Sequence, residues 1–445
     1  MYRFLLAFMI CSPLFAESAK PNIILIMVDD MGWAGVSCYD NKYFKTPGID
    51  RMANEGIKLT DFHSNGVVCS PTRAALMTGR YQQRSGCDVV INADPKHADH
   101  VRGISDEEWT FPEAMKSAGY ATAMFGKWHL GYKPEFHPMN HGFDEFAGFI
   151  SGNIDAQSHY DRMETFDWWQ NRELKDEPGH HSDLITEHAL DFIERKKDQP
   201  FFLYVAHGTP HSPFQARGSK IQRGPDKGTI PAWAPKVEYT KEAGDDNWLI
   251  RHFTLPVDEG VNRILDKLIE LKIEKNTIVW FLSDNGAAKG NFSHSENTRG
   301  AKGSMYEGGH RVPALVWAPG RIKAGTISDQ TLMTYDIMAS TIIAAQVQLP
   351  NGHQLDGINI HPSLFNNKKL EKRTLLWENG KGSGALRKDN YKLVVNKKSR
   401  ELYDLKTDSK ETTNLAKESP EITQEMYKEY LTILTEIKKD APYSK

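Results

Sequence analysis

The chain has 445 residues, 39% of them hydrophobic, with 55 Lys and Arg against 58 Asp and Glu and a net charge of −3. That length accommodates one large α/β domain and a small appended one. Both charge signs are spread along the chain, and the basic runs at 195–197 and 368–369 are short, so nothing resembles the footprint of a nucleic-acid or membrane-surface binder.

Residues 1–16 read as a signal peptide. Arg3 supplies the positive end, 4–10 are apolar, and Ser12, Pro13 and Ala16 prepare a cleavage point. The stretch is too short to span a bilayer, and no later one is long and apolar enough. Cys11 invites lipidation, but Phe8-Met9-Ile10 lacks the small residues that precede a lipidated cysteine. The expectation is a periplasmic or secreted protein. Without Cys11, Cys38, Cys69 and Cys87 remain. An odd count in an exported protein leaves at least one thiol unpaired or modified.

From residue 17 to 372, β-branched and aromatic runs alternate with helical patterns, which predicts βαβ units and a largely parallel sheet. The first run, 22–28, ends in Asp29-Asp30. A helix is expected over 48–55, and another over 71–78 with Ser70 as its cap and Pro71 in its first turn, which leaves Cys69 at its N-terminus. After a helix over 111–118, the run 120–125 ends in Gly126-Lys127-Trp128-His129. Residues 150–182, rich in Trp, His and Asp, read as a long loop. A helix over 182–196 leads to the run 201–205, which ends near His207, Pro210 and His211. Residues 215–247 read as a second loop, and a helix is expected over 256–271. The run 277–282 ends in Ser283-Asp284-Asn285-Gly286. Ligands of open α/β sheets bind beyond the carboxyl ends of the strands. Four strands that stop in polar clusters therefore predict one shared site. From 373 to 445 the pattern changes to short antiparallel strands at 374–378, 384–387, 391–395 and 401–404 and a closing helix at 421–439, a small C-terminal subdomain.

Taken singly, the residues leave alternatives open. Cys69 at a helix N-terminus suits an activated thiol but equally an inert buried one. Asp29, Asp30, Asp284 and Asn285 form an oxygen-only set suited to Ca²⁺ or Mg²⁺ rather than Zn²⁺, although an Asp-Asp pair after a strand is commonly a cap or turn. Lys127, His129, His211, Lys302 and Arg73 could serve an anion or simply be solvated.

Cys69-Ser70-Pro71-Thr72-Arg73, followed by Ala-Ala-Leu-Met-Thr-Gly-Arg, resembles the signature of type I sulfatases. Residues 126–131, 209–213, 300–309 and 402–405 resemble other segments of that family, and 136–145 resembles galactosamine-6-sulfatase type enzymes, with arylsulfatase A also similar. The resemblance implies an alkaline-phosphatase-like fold: a large mixed, mostly parallel sheet flanked by helices, with a small antiparallel C-terminal sheet. It implies that Cys69 is oxidised to formylglycine by a formylglycine-generating or sulfatase-maturing enzyme, beside one Ca²⁺ held by Asp29, Asp30, Asp284 and Asn285 together with residue 69. Hydrated, the aldehyde is a geminal diol able to attack the sulfur of a sulfate ester. Lys127, Lys302 and Arg73 would stabilise the sulfuryl oxygens, His211 would protonate the leaving oxygen, and His129 would take the proton that releases sulfate. Ser151, Asp155 and His159 fall where related enzymes contact substrate, and Trp168, Trp169 and Tyr160 could stack on sugar. The implied substrate is a sulfated carbohydrate, with galactose or N-acetylgalactosamine sulfates favoured by 136–145. Two rivals remain at this stage: a phosphate monoester or phosphonate hydrolase on the same fold, and an inactive protein that binds sulfated glycans.

Overall fold

The computed structural model describes residues 20–235, 248–289, 293–439 and 441–442. The expected signal peptide lies outside them. A ten-stranded sheet runs in the order Thr326–Ser328, Ile57–Leu59, Ala314–Trp317, Thr277–Ser283, Asn22–Val28, Phe201–Ala206, Ala121–Lys127, Glu145–Phe149, Trp169–Gln170, Glu173–Leu174. The five strands from Thr277–Ser283 to Glu145–Phe149 are mutually parallel. Ala314–Trp317 pairs antiparallel beside them, which makes the sheet mixed.

Asn22–Val28 shows why this sheet is buried on both faces. Ile23, Leu25 and Met27 join one apolar layer with Leu76, Met115 and Met338 from the helices on that side. Ile24, Ile26 and Val28 join the opposite layer with Met52, Ile185 and Val261. A near-continuous apolar run is what a parallel strand covered on both faces requires.

A separate antiparallel sheet, Thr374–Glu378, Gly384–Lys388, Tyr391–Val395 and Arg400–Asp404, carries helix Pro420–Ile437. Its core includes Val67, Tyr81 and Tyr335 of the larger unit. Buried Lys392 reinforces the seam, with Nζ 2.9 Å from Glu307 Oε1 and 2.8 Å from Glu411 Oε1. Truncating one member of such a buried ion pair leaves an uncompensated charge, at a cost of about 3–5 kcal/mol.

Two helix starts differ from expectation. The helix expected at 71 begins at Cys69 with Val68 as its cap. Ser70 lies inside the first turn, and its Oγ accepts from Ile91 N at 3.1 Å. A long-range partner has taken the hydroxyl that local reasoning gave to the cap. The helix expected at 256 is Trp248–Glu270, with Pro256 inside it. Phe253, Val257 and Val261 are all buried, so one apolar face continues across the proline and packing outweighs the missing backbone bond.

Candidate active site

The carboxyl ends of the parallel strands deliver the site. Asp29 and Asp30 follow Asn22–Val28, Asp284 and Asn285 follow Thr277–Ser283, and Lys127 is the last residue of Ala121–Lys127. The strand reaches Lys127 only by passing tightly against its neighbour. A Cβ at Gly126 would lie 2.0 Å from Ala206 O, and φ there is +114°, so glycine is required. Helix Cys69–Thr78 points its N-terminus at the same place and stops at Gly79, whose φ of +64° closes the helix in the left-handed region.

Cys69 Sγ lies 3.3 Å from Asp29 Oδ1 and 3.3 Å from Lys302 Nζ. Lys127 Nζ is 2.6 Å from Asp29 Oδ2, and Lys302 Nζ is 2.6 Å from Asp30 Oδ1. Arg73 donates from Nε and Nη2 to Asp284 Oδ2 at 3.0 and 2.8 Å, and from Nη1 to Lys127 O at 2.9 Å and Tyr204 Oη at 3.3 Å. His211 Nε2 faces Asp30 Oδ2 at 3.6 Å. Its Nδ1 lies 2.7 Å from Ser212 O; a carbonyl only accepts, so that nitrogen carries a proton. Three carboxylates, Asp29, Asp30 and Asp284, thus meet three cationic side chains, Lys127, Lys302 and Arg73, around one sulfur.

The electrostatics follow from burial and crowding. Burial opposes ionisation of Asp29, but Lys127, His211 and Arg73 outweigh it and hold its carboxyl well below the usual range. Burial and the charge of Asp29 push Asp284 the other way. The Cys69 thiol is pushed up to about 12 by burial and Asp29, so unmodified it would be a poor nucleophile at neutral pH. His129 is held neutral by burial and Lys127. Its Nε2 donates to Ile91 O at 3.0 Å, which leaves a lone pair on buried Nδ1 with no hydrogen-bond partner among the described residues.

Residues 21–347 match the family model described as Sulfatase, and residues 299–439 match N-sulphoglucosamine sulphohydrolase, C-terminal. The chain belongs to the sulfatase family. It is 34% identical to human N-acetylgalactosamine-6-sulfatase over 79% of this chain and 67% of that enzyme. To human arylsulfatase G it is 31% identical, over 82% of this chain and 73% of the relative. The crystal structure of Ps i-CgsB in complex with k-i-k-neocarrahexaose superposes with a TM-score of 0.81 at 26% identity, covering 95% of this chain and 93% of the other. With the two sheets, these matches make the protein a type I sulfatase of the alkaline phosphatase superfamily.

The oxygen-only set of this sulfatase fits a hard divalent cation. Ligand atoms of Asp29, Asp30, Cys69 and Asp284 lie within 4.8 Å of one another. Asn285 donates Nδ2 to Asp30 Oδ1 at 2.7 Å, while its buried Oδ1 has no partner among the described residues. An orphaned carbonyl oxygen beside three carboxylates is the donor chemistry that Ca²⁺ takes.

Other expected residues stand elsewhere. Arg73 was expected on the sulfuryl oxygens, but its donors are engaged by Asp284, Lys127 O and Tyr204, so it acts on the cluster from behind. Ser151, Asp155 and His159 are not brought into the cluster. Ser151 Oγ donates to Asn153 O. Asp155 is fully buried and accepts from the backbone amides of Gln157, Ser158, Gln222 and Arg223. His159 is buried, stacks on Trp168 and bonds Gly179 O. Trp168 is itself buried and is packing, not a sugar platform. Cys38 and Cys87 are both free thiols. Sequence reasoning passed over Tyr204, which looks like core in the run 201–205, and Asn153, whose Nδ2 lies 3.2 Å from His211 Nδ1. Neither residue carries a local sequence signal.

Proposed function

We propose that this sulfatase hydrolyses sulfate esters of a sulfated carbohydrate through a formylglycine made at Cys69, with Ca²⁺ held by Asp29, Asp30, Asp284 and Asn285. The carrying observation is the position of Cys69 Sγ, 3.3 Å from both Asp29 Oδ1 and Lys302 Nζ at a helix N-terminus. Bound there, Ca²⁺ would polarise a sulfuryl oxygen and add positive charge to a cluster already balanced by its own side chains. The hydrated aldehyde supplies two hydroxyls on one carbon, one to attack sulfur and one whose proton must leave for sulfate to depart.

The side chains divide the remaining work. Lys127 and Lys302 face the sulfuryl oxygens and stabilise charge that grows in the transition state. Arg73 positions Asp284 and Lys127. His211, at the partly open side of the cluster, donates a proton to the leaving alcohol oxygen; burial pulls its ring toward the neutral form, and Asp30 beside it opposes that pull. His129, neutral and with a free Nδ1 lone pair, accepts the proton of the second hydroxyl. We place the enzyme in the periplasm or outside the cell, on the strength of the leader-like residues 1–16. A formylglycine-generating or sulfatase-maturing enzyme is its required partner.

Similarity of residues 136–145 to galactosamine-6-sulfatase type enzymes, and the 34% identity to human N-acetylgalactosamine-6-sulfatase, support galactose or N-acetylgalactosamine sulfates as substrates. The test is sulfate release from a panel of 2-, 4- and 6-sulfated saccharides, alongside matched phosphate esters, by protein coexpressed with a maturing enzyme. Faster phosphate release would favour the phosphohydrolase reading. Binding without release by protein shown to carry the aldehyde would favour an inactive glycan binder.

A further inference from the structure

Beyond His211, on the side away from the carboxylate cluster, two arginines converge on one neutral side chain. Arg162 Nε lies 3.4 Å from Asn153 Oδ1, and Arg223 Nη1 lies 3.2 Å from the same oxygen and 3.4 Å from Asn153 O. Asn153 in turn donates Nδ2 to Ser212 O at 2.7 Å, the same carbonyl that accepts from His211 Nδ1. Arg73, Arg84, Arg195, Arg217, Arg373 and Arg387 each hold a carboxylate. Arg162 and Arg223 form no ion pair among the described residues.

The segment that carries Arg223 is anchored. The amides of Gln222 and Arg223 donate to Asp155 Oδ2 at 2.6 and 3.0 Å, and that of Gly224 donates to Glu164 Oε2 at 2.5 Å. Asp161 pins the turn that carries Arg162 by accepting from the amides of Met163 and Thr165. Asp155, Asp161 and Glu164 thus accept from backbone amides, and the two guanidiniums face oxygens of Asn153, Arg162 from an exposed position. Arg223 is half-buried. Burial and the Arg162 charge pull it below the usual guanidinium range, even though Asp155, Asp161 and Glu164 oppose this. Two like charges held together over a neutral acceptor are unfavourable on their own and complementary to an anion. Ile221 of the same segment lines a cavity of about 620 Å³ together with Tyr160, Phe166 and Trp233, and the two arginines stand outside that lining.

We propose that Arg162 and Arg223 form a second anion subsite, which grips a sulfate or carboxylate on the glycan beyond the scissile ester. This rests on the sulfatase reading above and narrows its substrate class to glycans carrying more than one negative group. The anion belongs to the alcohol half of the ester, because the arginines lie behind the histidine assigned to protonate the leaving oxygen.

The probes are disaccharides of N-acetylgalactosamine 6-sulfate whose neighbouring sugar is uncharged, sulfated or a uronate. Their affinities for Cys69→Ala protein, by calorimetry, read the subsite without turnover. The kcat/KM values of matured wild type read the sulfatase assignment separately. The expected result is about ten- to a hundredfold tighter binding when the neighbour carries the correct anion, as two charge-assisted bonds should give. The sulfated and uronate arms tell which anion it is. Adding Arg162→Gln and Arg223→Gln should bring that ratio close to one, while Arg223→Lys, which keeps the charge, should retain part of it in a protein with an unchanged melting temperature. A ratio near one for both anions, or one that survives loss of both arginines, overturns the subsite. Tight, arginine-dependent binding with no sulfate release by aldehyde-bearing protein would leave the subsite standing and sink the sulfatase mechanism instead.

Discussion

Lys127 Nζ lies 2.6 Å from Asp29 Oδ2, and neither side chain is exposed at all. A buried pair of this kind gives little net stability when intact, yet losing one partner is costly. The pair therefore ties folding and chemistry to the same atoms. Lys302, with a side chain 19% exposed against Asp30, is more accessible and less committed to the fold.

Lys127→Ala and Lys302→Ala should each lower kcat by roughly two orders of magnitude or more, as expected when a transition-state charge partner is removed. The variants should separate in stability. In chelated protein, Lys127→Ala leaves Asp29 buried without its closest cation, at a cost of about 3–5 kcal/mol, and Lys302→Ala should cost clearly less. Turnover and urea midpoints measured on the same preparations check both halves. A near-normal kcat removes that lysine from the reaction.

Metal dependence should be visible without any assay of activity. If the four oxygen ligands hold Ca²⁺, adding it to chelated protein raises the melting temperature in a concentration-dependent way, with about 2.7 kcal/mol gained at a hundredfold excess over Kd. Zn²⁺ should do this less well, and turnover should recover in the same order. Asn285→Ala, which deletes the orphaned oxygen, should shift the Ca²⁺ titration to higher concentration. Chelated protein that keeps full turnover and an unshifted melting temperature would show the assignment to be wrong.

Acid should unfold this protein through histidines far from the cluster. Burial lowers His137, His141, His159 and His361 to about 4, against about 6.5 for a histidine in the unfolded chain. The unfolded state therefore binds more protons between pH 6.5 and 4, and stability falls as pH drops through that window. The shifts all act in the same direction, against a stability of only about 5–15 kcal/mol for an ordinary domain. Denaturation midpoints from pH 8 to pH 4 should be flat above about pH 7 and fall steeply below 6. His141→Gln should flatten the slope if it folds. A pH-independent midpoint across the window would mean these rings are not held neutral.

The strand ends were legible because chain direction and apolar runs are local facts. Asn22–Val28 and Thr277–Ser283 could only be buried strands, and what followed them had to share an edge. The C-terminal hairpins were legible for the same reason. The segment 150–182, read as a loop, was not: it adds the strands Trp169–Gln170 and Glu173–Leu174 to the sheet, and its contacts are distant in sequence, since Asp155 bonds Gln215, Gln222 and Arg223, some 60 residues or more away. Asp155 was expected near substrate from its position in the resembling family, and its oxygens hold another loop. Tyr204 and Asn153 were missed for the converse reason, since each looks ordinary until a partner arrives from elsewhere. Gly126 signalled a close approach, but not that the strand would run through it and end on Lys127.

The decisive test falls on Cys69. As a thiol it is pushed up to about 12 by burial and Asp29, so protein made in a host without maturing machinery should fold, melt normally and release no sulfate. Matured protein should show the aldehyde by peptide mass spectrometry of the segment containing residue 69, with turnover proportional to its fraction. Cys69→Ala removes any nucleophile and should be inactive in both hosts. Cys69→Ser separates the mechanisms. Its hydroxyl keeps Asp29, Lys127, Lys302 and the cation site around it, so attack on sulfur remains open. A serine has one hydroxyl, however, and once it is sulfated no second oxygen on that carbon can expel sulfate. The variant should stop after at most one turnover, with a mass increment of one sulfuryl group on residue 69. Sustained multiple turnover by Cys69→Ser, shown by mass to be unoxidised, would mean that water attacks a serine sulfate directly. The formylglycine assignment would then give way to an ordinary two-step hydrolase.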